Sequence, residues 1–482
     1  MKKDRRDFFK KSQLLWLVPW MKFSFNPRKQ ARITADRVYF TNGIKVCEIS
    51  PGSLMVWTRL CAVEEPVPIT TAREKQPGTY YPIDFDEEQP VELMDGAVRG
   101  KSGKVRLKIS HGDSIRTTDW YDALAGNDYT VRIPVNGLKS GQVYTIEVEA
   151  KSLMDGEVNS VVGKFQTAPA PAAIAPVTFT TSTCQYLWNY DDVTRGFKTY
   201  DSMSRLNPDF FVHTGDYVYY DRIGPMVDHI DKARHKWHAM NSRLSIREFL
   251  QKTPMYMIKD DHDLLRDDTY PDSQPLGNFT LEEGLRVWQE NVPFEGLPYR
   301  TVRWGKDLQL WMVEGREYRT ERNVAEETRR TIWGAEQKEW FEKTFLTSDA
   351  TFKILFSATP IVGPDRENKK DNHANALFQE EGDWLRNLLS SRPGTFVING
   401  DRHWQYVSVD SATGLREFGS GAVSDSHAGG WNQNDWREEH RYLRVKGGFL
   451  SVNVFRENER PRIDFIHHDV DGNIMHKEMV KM

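Results

Sequence analysis

The second part of the chain alternates short apolar runs with segments of helical periodicity, and polar residues follow four of the apolar runs. The four stretches are FTTSTCQY (179–186), FVHTGDYVYYD (211–221), MIKDDHD (257–263) and FVINGDRHW (396–404). Segments such as SIREFLQKT and GAEQKEWFEKTF separate them and have the pattern of helices. Strands that alternate with helices predict an α/β domain, in which ligands bind beyond the carboxyl ends of the strands. We therefore expect the four loops to converge on one site.

The region before this alternation, from about 34 to 167, is rich in short β-prone runs separated by turn signals. In NGLKSGQVYTIEVEA a turn precedes alternating apolar residues, the pattern of a half-buried antiparallel strand. Such runs are typical of a β-sandwich of the immunoglobulin or fibronectin type. The Pro- and Ala-rich stretch 168–176 predicts a stiff linker. The second domain is then 177–482, and its strand-rich tail suggests a second sheet layer.

Length and composition are those of a globular protein with two domains. The 482 residues exceed what one hydrophobic core usually serves, and 39% apolar content is enough for packed cores. The 65 basic and 69 acidic side chains give a net charge of −4, so no broad positive field would attract nucleic acid or anionic lipid. No apolar run is long enough to span a bilayer. Three cysteines exclude a disulfide framework, and we predict that Cys47 and Cys61 are buried apolar residues.

The first 33 residues contain a stretch that resembles a twin-arginine export signal. Arg5 and Arg6 are followed by Asp7, two phenylalanines and Lys10. The apolar stretch 14–20 is short and contains a proline, and no small-residue cleavage site follows, so a basic cytosolic terminus stays open as the alternative. The motif favours export, which predicts a periplasmic or secreted protein without excluding a cytoplasmic one.

The residues in the four loops have the chemistry of a metal pair. Hard, highly charged ions need anionic oxygen ligands, and an imidazole or softer donor sets each ion's identity. The loops supply three acids and three such donors, namely Asp216, Asp261 and Asp401, and Cys184, Tyr219 and His403. Two ions a few ångströms apart can clamp a phosphoryl oxygen and favour in-line displacement at phosphorus. Phosphoester hydrolysis is the reaction that this pattern predicts.

The order of the motifs resembles that of the calcineurin-like metallophosphoesterases, whose pattern is D-x-H, GD, GNH[DE] and GHxH. Here GD is 215–216, GNH[DE] becomes DDHD (260–263), GHxH becomes GDRH (400–403), and the first element is STC (182–184). These departures match the alkaline phosphatase D family of PhoD-like phosphatases and phosphodiesterases, which reads GDY.Y, DDH[ED] and GD.H. The resemblance covers about 34–482, since that family places a fibronectin-like domain before the catalytic one and often uses twin-arginine export.

The resemblance implies a fold, a reaction and a set of ligands. The fold is a fibronectin-like β-sandwich followed by an α/β/β/α layered metallophosphatase domain, and the reaction is hydrolysis of phosphate monoesters, diesters or both. The cofactors are Fe³⁺ and Ca²⁺. The ligands of Fe³⁺ would be Cys184, Tyr219, His403 and the bridging Asp216. Those of Ca²⁺ would be Asp261 and Asp401 beside Asp216. His262 would contact the phosphoryl group or protonate the leaving oxygen. Tyrosinate and thiolate independently favour Fe³⁺ over Mg²⁺ or Ca²⁺.

One departure from the family pattern concerns the second ion. The family usually has an asparagine a few residues after its DDH[ED] motif, where this chain reads Arg266-Asp267-Asp268. A carboxylate in place of the amide would tighten calcium binding or admit another divalent ion. We predict Asp267 as the ligand and keep Asp268 as the alternative.

Three further residues are candidates for substrate binding, namely Arg316, His373 and His427. Arg316 could hold a phosphate with two hydrogen bonds, and a salt bridge to nearby acids explains it equally well. The two histidines could line the substrate cleft or be ordinary polar loop residues.

Other functions stay open at this point. GDYVY also satisfies the GD-x-x-Y motif of purple acid phosphatases, although their GNH and GHxH elements are replaced here. A glycosidase could use Asp216 and Asp261 as paired carboxylates, and its activity would survive chelators. A non-catalytic surface-binding protein could use the sandwich domain and the tryptophans that are scattered along the chain. The residues do not choose between monoesters and diesters, and they leave the oligomeric state open.

Overall fold

The fold consists of β-sheets and the helices that cover them. The structure is a computed structural model that describes residues 36–76, 79–154, 156–321 and 330–482. The predicted leader, 1–33, with its twin-arginine motif, lies outside the described residues. The helices of the described ranges are α1 (Lys198–Arg205), α2 (Ile230–Asn241), α3 (Leu244–Leu250), α4 (Leu281–Asn291), α5 (Gly334–Leu346) and α6 (Gln379–Ser390).

The strands fall on either side of residue 170. In the first part of the described chain they are β1 (Ile44–Cys47), β2 (Ser53–Arg59), β3 (Arg73–Gln76), β4 (Thr79–Pro82), β5 (Gly103–His111), β6 (Ser114–Thr117), β7 (Tyr121–Ala123), β8 (Thr130–Asn136), β9 (Val143–Ser152) and β10 (Asn159–Gln166). In the second part they are β11 (Val177–Ser182), β12 (Phe210–His213), β13 (Met255–Met257), β14 (Arg300–Trp304), β15 (Leu308–Met312), β16 (Phe352–Ser357), β17 (Thr395–Asn399), β18 (Gln405–Val409), β19 (Arg416–Ser420), β20 (His440–Arg444), β21 (Phe449–Glu457), β22 (Arg460–His468) and β23 (Ile474–Lys481).

The larger of the two main sheets has nine strands in the order β23-β22-β21-β11-β12-β13-β1-β2-β8. Strands β11, β12 and β13 are parallel neighbours, so their carboxyl ends share one edge of the sheet. Strand β12 reads FFVH and is buried throughout, as expected for a parallel strand covered on both faces.

A seven-stranded sheet packs against the nine-stranded sheet, in the order β14-β15-β16-β17-β19-β18-β20. Side chains from both sheets form one core, in which the rings of Phe179 and Phe356 lie 6.0 Å apart. Helices α1 to α4 cover the other face of the nine-stranded sheet, and α5 and α6 cover the other face of the seven-stranded sheet. The predicted α/β/β/α layering is confirmed.

The N-terminal strands form the predicted β-sandwich, and one of its sheets is continuous with the nine-stranded sheet. Strands β1, β2 and β8 face a separate sheet of order β10-β9-β5-β6, in which β7 also pairs with β5. The continuity arises because β1 pairs in parallel with β13 at Cys47 and Met255. Nε of Arg300 donates to the Glu48 carboxylate beside this seam at 2.5 Å. Residues 36–482 form one compact unit.

The predicted linker, 168–176, packs along the hairpin of β14 and β15. The carbonyl oxygen of Pro169 accepts a hydrogen bond from the N–H of Gly305 (3.2 Å), and that of Ala173 accepts one from Lys306 (2.7 Å). The domain boundaries on either side of this segment stay a prediction.

Two expectations from the composition concern the cysteines and membrane-spanning segments. Cys47, Cys61 and Cys184 are all buried and form no disulfide. Among helices in the described ranges, none combines the length and apolar character needed to cross a membrane.

Candidate metal centre

The loops predicted to converge meet at the carboxyl ends of β11, β12, β13 and β17. The N–H of Cys184 donates to the carbonyl oxygen of Gly215 at 3.1 Å. A Cβ atom on Gly215 would lie 2.6 Å from Cβ of Asp260, and one on Gly400 would lie 2.3 Å from the carbonyl oxygen of Thr214. The two glycines therefore permit an approach between loops that any side chain would prevent.

The carboxylate of Asp263 holds two of these loops in shape. Its Oδ2 accepts hydrogen bonds from the backbone N–H groups of Asp216 (2.8 Å) and Asp260 (3.0 Å). Its Oδ1 accepts from those of Tyr217 (2.7 Å) and Val218 (3.2 Å). Buried backbone N–H groups need hydrogen-bond acceptors. In these loops the N–H groups have no acceptor in a helix or strand, and the Asp263 carboxylate takes that role.

Three of the predicted ligands have a left-handed backbone conformation. The angle φ is 53° at Cys184, 59° at Asp216 and 60° at Asp401. Residues other than glycine rarely adopt this conformation, and the instances that persist cluster at functional sites. The strain supports a functional role for these three positions.

A first group of donor atoms surrounds Oδ2 of Asp216. The Cys184 thiol donates to this oxygen at 3.4 Å, and the Tyr219 hydroxyl donates to it at 3.1 Å. Oη of Tyr219 is also 3.4 Å from Nε2 of His403. Cys184, Asp216 and His403 each supply one possible ligand atom, and these three atoms lie within 4.8 Å of one another. The structure thus brings together the four residues predicted for the first ion.

Asp216 also belongs to two further groups of possible ligands. It forms one with Asp261 and His262, and another with Asp260 and Asp401, again with ligand atoms within 4.8 Å of one another. A carboxylate shared between neighbouring groups is the arrangement that two adjacent ions need.

His262 is oriented by a carboxylate on the neighbouring loop. Its Nδ1 donates to Oδ1 of Asp221 at 2.7 Å, and its Nε2 lies 3.9 Å from Oδ1 of Asp267. Burial lowers the pKa of His262, but neighbouring carboxylates, those of Asp221 and Asp261 first, outweigh burial and hold the pKa well above its usual value.

Asp267 and Asp268 lie outside the three groups of possible ligands within the described chain. The Asp267 side chain is 61% exposed, and its Oδ1 is 3.2 Å from Nζ of Lys369. Asp268 is buried and accepts a hydrogen bond at 2.5 Å from Nη1 of Arg319. Both residues lie beside the predicted ligands, since Asp267 is near His262 and the N–H of Asp268 donates to the carboxylate of Asp261, and the choice between them stays a prediction.

Arg316 is fully buried among aspartates. Its Nε donates to Oδ1 of Asp260 at 2.5 Å. Its terminal nitrogens lie 3.6 Å from carboxylate oxygens of Asp261 and Asp371, and 3.7 Å from one of Asp268. The guanidinium therefore offsets the charge of the acids that surround the candidate ligands.

The two candidate histidines lie in different places. Nε2 of His373 is 2.9 Å from the carboxylate of Glu381 on α6, and His373 belongs to none of the three groups found among the described residues. His427 joins the first group, because its Nε2 is 3.1 Å from Oη of Tyr219 and its ring lies 4.2 Å from that of His403.

A cavity of about 170 Å³ opens beside this first group. Its walls include Tyr81, Tyr186, Arg222 and His427. The rings of Tyr81 and Tyr186 are 6.3 Å apart. Because Tyr81 belongs to β4, the N-terminal part of the chain contributes a wall to the cavity beside the candidate ligands.

The electrostatics of the first group favour a cation. Burial raises the pKa of the Cys184 thiol and of the Tyr219 hydroxyl well above their usual values, and the carboxylate of Asp216 raises both further. Burial, together with the positive charge of Arg366, lowers the pKa of His403 well below its usual value, so the imidazole is neutral. A bound cation would stabilise the thiolate and phenolate forms and coordinate the neutral ring.

Sequence reasoning missed the roles of Asp221, Asp260 and Asp263. Asp260 joins a ligand group and pairs with Arg316, Asp263 fixes the loop backbone, and Asp221 orients His262. The run DDHD carries more acid than one histidine can balance, and this excess was the available signal. The partner of each acid comes from another loop, so spacing alone could not identify it.

Two family models match this chain. A family model described as PhoD-like phosphatase matches residues 179–447, and one described as the N-terminal domain of PhoD-like phosphatase matches 27–169. A search of curated proteins finds no match.

Two solved structures share the fold over most of the chain. One is a structure of PhoD, with 16% identity and a TM-score of 0.68, covering 92% of this chain and 89% of that one. The other is the purple acid phosphatase PPD1 from yellow lupin (Lupinus luteus) seeds, with 10% identity and a TM-score of 0.58, covering 91% and 74%. At these identities the likeness concerns the fold alone.

Proposed function

Because the chain belongs to the PhoD-like phosphatase family and is therefore a phosphoric ester hydrolase, we propose that it cleaves phosphate monoesters, diesters or both at a site for Fe³⁺ and Ca²⁺. The observation that carries the proposal is the membership of Asp216 in all three groups of possible ligands. A carboxylate in this position can hold two ions side by side.

The donor atoms fit the two ions. Thiolate, phenolate and imidazole from Cys184, Tyr219 and His403 suit Fe³⁺, whereas the carboxylates of Asp261 and Asp401 suit Ca²⁺. Within the described residues, Oδ1 of Asp216 and Oδ2 of Asp260 are buried without a hydrogen-bond partner. Buried polar atoms normally have partners, and a cation would supply the missing one.

Such a pair of ions, when bound, polarises a phosphoryl oxygen and offsets the negative charge that develops during displacement at phosphorus. The residues of the chain orient the ester and move the proton. Asp221 holds Nδ1 of His262 at 2.7 Å, which leaves Nε2 to give a proton to the leaving oxygen. Tyr81, Arg222 and His427 would surround the leaving group in the adjoining cavity.

The other predicted residues have different roles in the proposal. Asp267 stays the predicted further ligand of the second ion, with Asp268 as the alternative, and its Oδ1 is 3.2 Å from Nζ of Lys369. We assign Arg316 to positioning the surrounding aspartates, since its side chain is buried and paired with them. His373 is assigned to packing through its contact with Glu381. His427 keeps its proposed place at the substrate.

Export by the twin-arginine route is part of the proposal and is supported by Arg5 and Arg6 together with the apolar residues that follow them. Cell fractionation should find the full-length protein outside the cytoplasm, and changing both arginines to lysine should retain it inside. An identical distribution of the two forms would contradict export.

The proposed reaction is tested with 4-nitrophenyl phosphate and bis(4-nitrophenyl) phosphate. We expect Asp216→Asn to lower kcat/KM at least about 100-fold, because even residues that merely support metal ligands are worth 10- to 100-fold. Asp122→Asn is the matched control, since Asp122 is exposed on β7. Full activity in Asp216→Asn, or activity of the wild type that survives exhaustive chelation, would contradict the proposal and favour metal-independent hydrolysis.

A further inference from the structure

One arginine, Arg222, lines the cavity of about 170 Å³ beside the first ligand group. The other lining residues are three tyrosines, two histidines, two glycines and a threonine, and none of them is acidic. At neutral pH the lining therefore carries the charge of Arg222 without a carboxylate to compensate it. A cleft with charge of one sign concentrates ligands of the opposite sign, so this cavity favours an anionic group.

The guanidinium of Arg222 is accessible to a ligand. The residue is exposed, and its side chain has no hydrogen-bond or ion-pair partner among the residues that the structure describes, although its carbonyl oxygen accepts from Nζ of Lys236 at 2.9 Å. The adjacent carboxylate of Asp221 is engaged elsewhere, by Nδ1 of His262 (2.7 Å) and the N–H of Asp267 (3.0 Å). An unpaired arginine suits a carboxylate or a phosphate, because its N–H groups can bind two oxygens at once.

The backbone on the carboxyl side of Arg222 is held by two other parts of the chain. Oη of Tyr186 donates to the carbonyl oxygen of Ile223 at 2.8 Å, and the carboxylate of Glu87 accepts from the N–H of Gly224 at 2.8 Å. The side chain of Arg222 therefore projects from a fixed segment while its guanidinium stays unpaired. Such preorganisation lowers the entropy that a ligand loses on binding.

The same cavity adjoins the groups that would act on the ester. Tyr219 and His403, two proposed ligands of the first ion, line it, and the ring of Tyr219 lies 4.4 Å from that of His262. In the proposed function His262 gives a proton to the leaving oxygen, so the rest of the leaving group would occupy this cavity. There it would meet the rings of Tyr81 and Tyr186 and the guanidinium of Arg222.

We propose that the leaving group of the substrate carries a second anionic group, a carboxylate or a phosphate, which Arg222 binds. This inference rests on the proposed function and names the class of ester that the site takes. The leaving group is compact, because the cavity of about 170 Å³ is smaller than the roughly 300–1,000 Å³ of sites for drug-sized molecules. Its carbon skeleton packs against the tyrosine rings, between the phosphoryl group and the second anion.

The test compares 4-carboxyphenyl and 4-carbamoylphenyl esters, whose leaving groups have nearly the same size and differ by one charge. Each is used as the phosphate monoester and as the methyl phosphate diester, since the proposed function allows both. We expect KM of the full-length protein to be about tenfold lower for the carboxylate ester, because hydrogen bonds between charged groups are strong. This difference should vanish in Arg222→Ala and persist in part in Arg222→Lys, which keeps the charge without the paired N–H groups. Arg460→Ala, which changes an exposed arginine of β22, is the matched control.

Two results would overturn this inference. They are equal KM values of the wild type for the two esters, and a difference in KM that survives in Arg222→Ala. The second result is expected if Arg222 has only a structural role or contacts the phosphoryl group that is cleaved, since both esters would then be affected alike. If the wild type hydrolyses the esters, either result leaves the proposed function intact. Hydrolysis of none of them, or of the 4-nitrophenyl esters, would contradict the proposed function and this inference with it.

Discussion

At the scale of single residues, the carboxylate of Asp263 holds the loops of the candidate metal centre in shape although it belongs to none of the three groups of possible ligands among the described residues. It accepts four backbone hydrogen bonds, including that of Asp216. In Asp263→Asn one oxygen becomes an NH₂ group that cannot accept, so two buried N–H groups lose their partner. We expect the free energy of unfolding to fall by about 3 kcal/mol and the metal content to fall with it. Denaturant unfolding and elemental analysis measure the two effects.

The matched control for this change is Asp192→Asn. Asp192 also accepts two backbone hydrogen bonds, from Thr194 and Arg195, but it lies in an exposed turn. It should retain the metal content of the wild type. If Asp263→Asn binds metal normally at unchanged stability, the role assigned to Asp263 is wrong.

Cys184 provides a second test at the residue scale. Cys184→Ala should lose iron and any visible absorption that arises from a thiolate bound to Fe³⁺, because the thiol lies 3.4 Å from Oδ2 of Asp216. Cys47→Ala removes an equally buried thiol from β1 and should keep both iron and colour. Equal iron content in the two variants would exclude Cys184 as a ligand.

The sequence could identify those candidate ligands that belong to a short local motif. Asp216, Tyr219 and His403 each follow an apolar strand within a short pattern, and the structure brings them together. Asp263 could not be assigned, because its function depends on N–H groups that approach it only when two loops fold together. The exposure of the Asp267 side chain could not be predicted from the adjacent sequence either, because it also depends on how the loops fold together.

At the scale of elements, the hairpin of β3 and β4 links the N-terminal part to the candidate metal centre. Arg73 donates to the carbonyl oxygens of Trp188 (2.6 Å) and Tyr190 (2.7 Å), and Tyr81 forms a wall of the cavity beside the first ligand group. In the proposed function, the hairpin would contact the leaving group of a substrate in this cavity.

Tyr81→Ala tests this placement. We expect KM for an aromatic ester such as 4-nitrophenyl phosphate to rise about fivefold, since an aromatic contact is lost, while the metal content stays unchanged. Tyr121→Ala removes an exposed tyrosine of β7 and is the control. An unchanged KM would show that the hairpin does not contact the substrate.

The periodicity of the sequence predicts most helices and strands of the second part. It does not predict which strands pair with one another. SIREFLQKT and GAEQKEWFEKTF overlap α3 and α5, as their spacing predicts, and each helix extends one residue beyond the stretch. The pairing of β1 with β13 joins segments that are far apart in sequence, and neither strand carries a signal for the other. The sandwich could therefore be predicted, but not the sheet that it shares with the second part.

At the scale of the whole molecule, this shared sheet predicts cooperative unfolding. The sandwich and the layered α/β part have one continuous nine-stranded sheet and a common core cluster. Calorimetry should therefore show a single unfolding transition, because neither part can lose its strands without exposing the other. Arg300→Ala, which removes the contact with Glu48 at the seam, should lower the temperature of this transition without dividing it. Two separate transitions in the wild type would favour independent domains.

The most direct test of the dinuclear site is elemental analysis of the purified full-length protein together with its visible absorption spectrum. We predict about one iron and one calcium per chain, with a charge-transfer band from Tyr219 or Cys184 to Fe³⁺. Two zinc or manganese ions would preserve the hydrolase but contradict the ligand assignment. A colourless protein that contains no metal and takes up none would contradict the proposed site altogether.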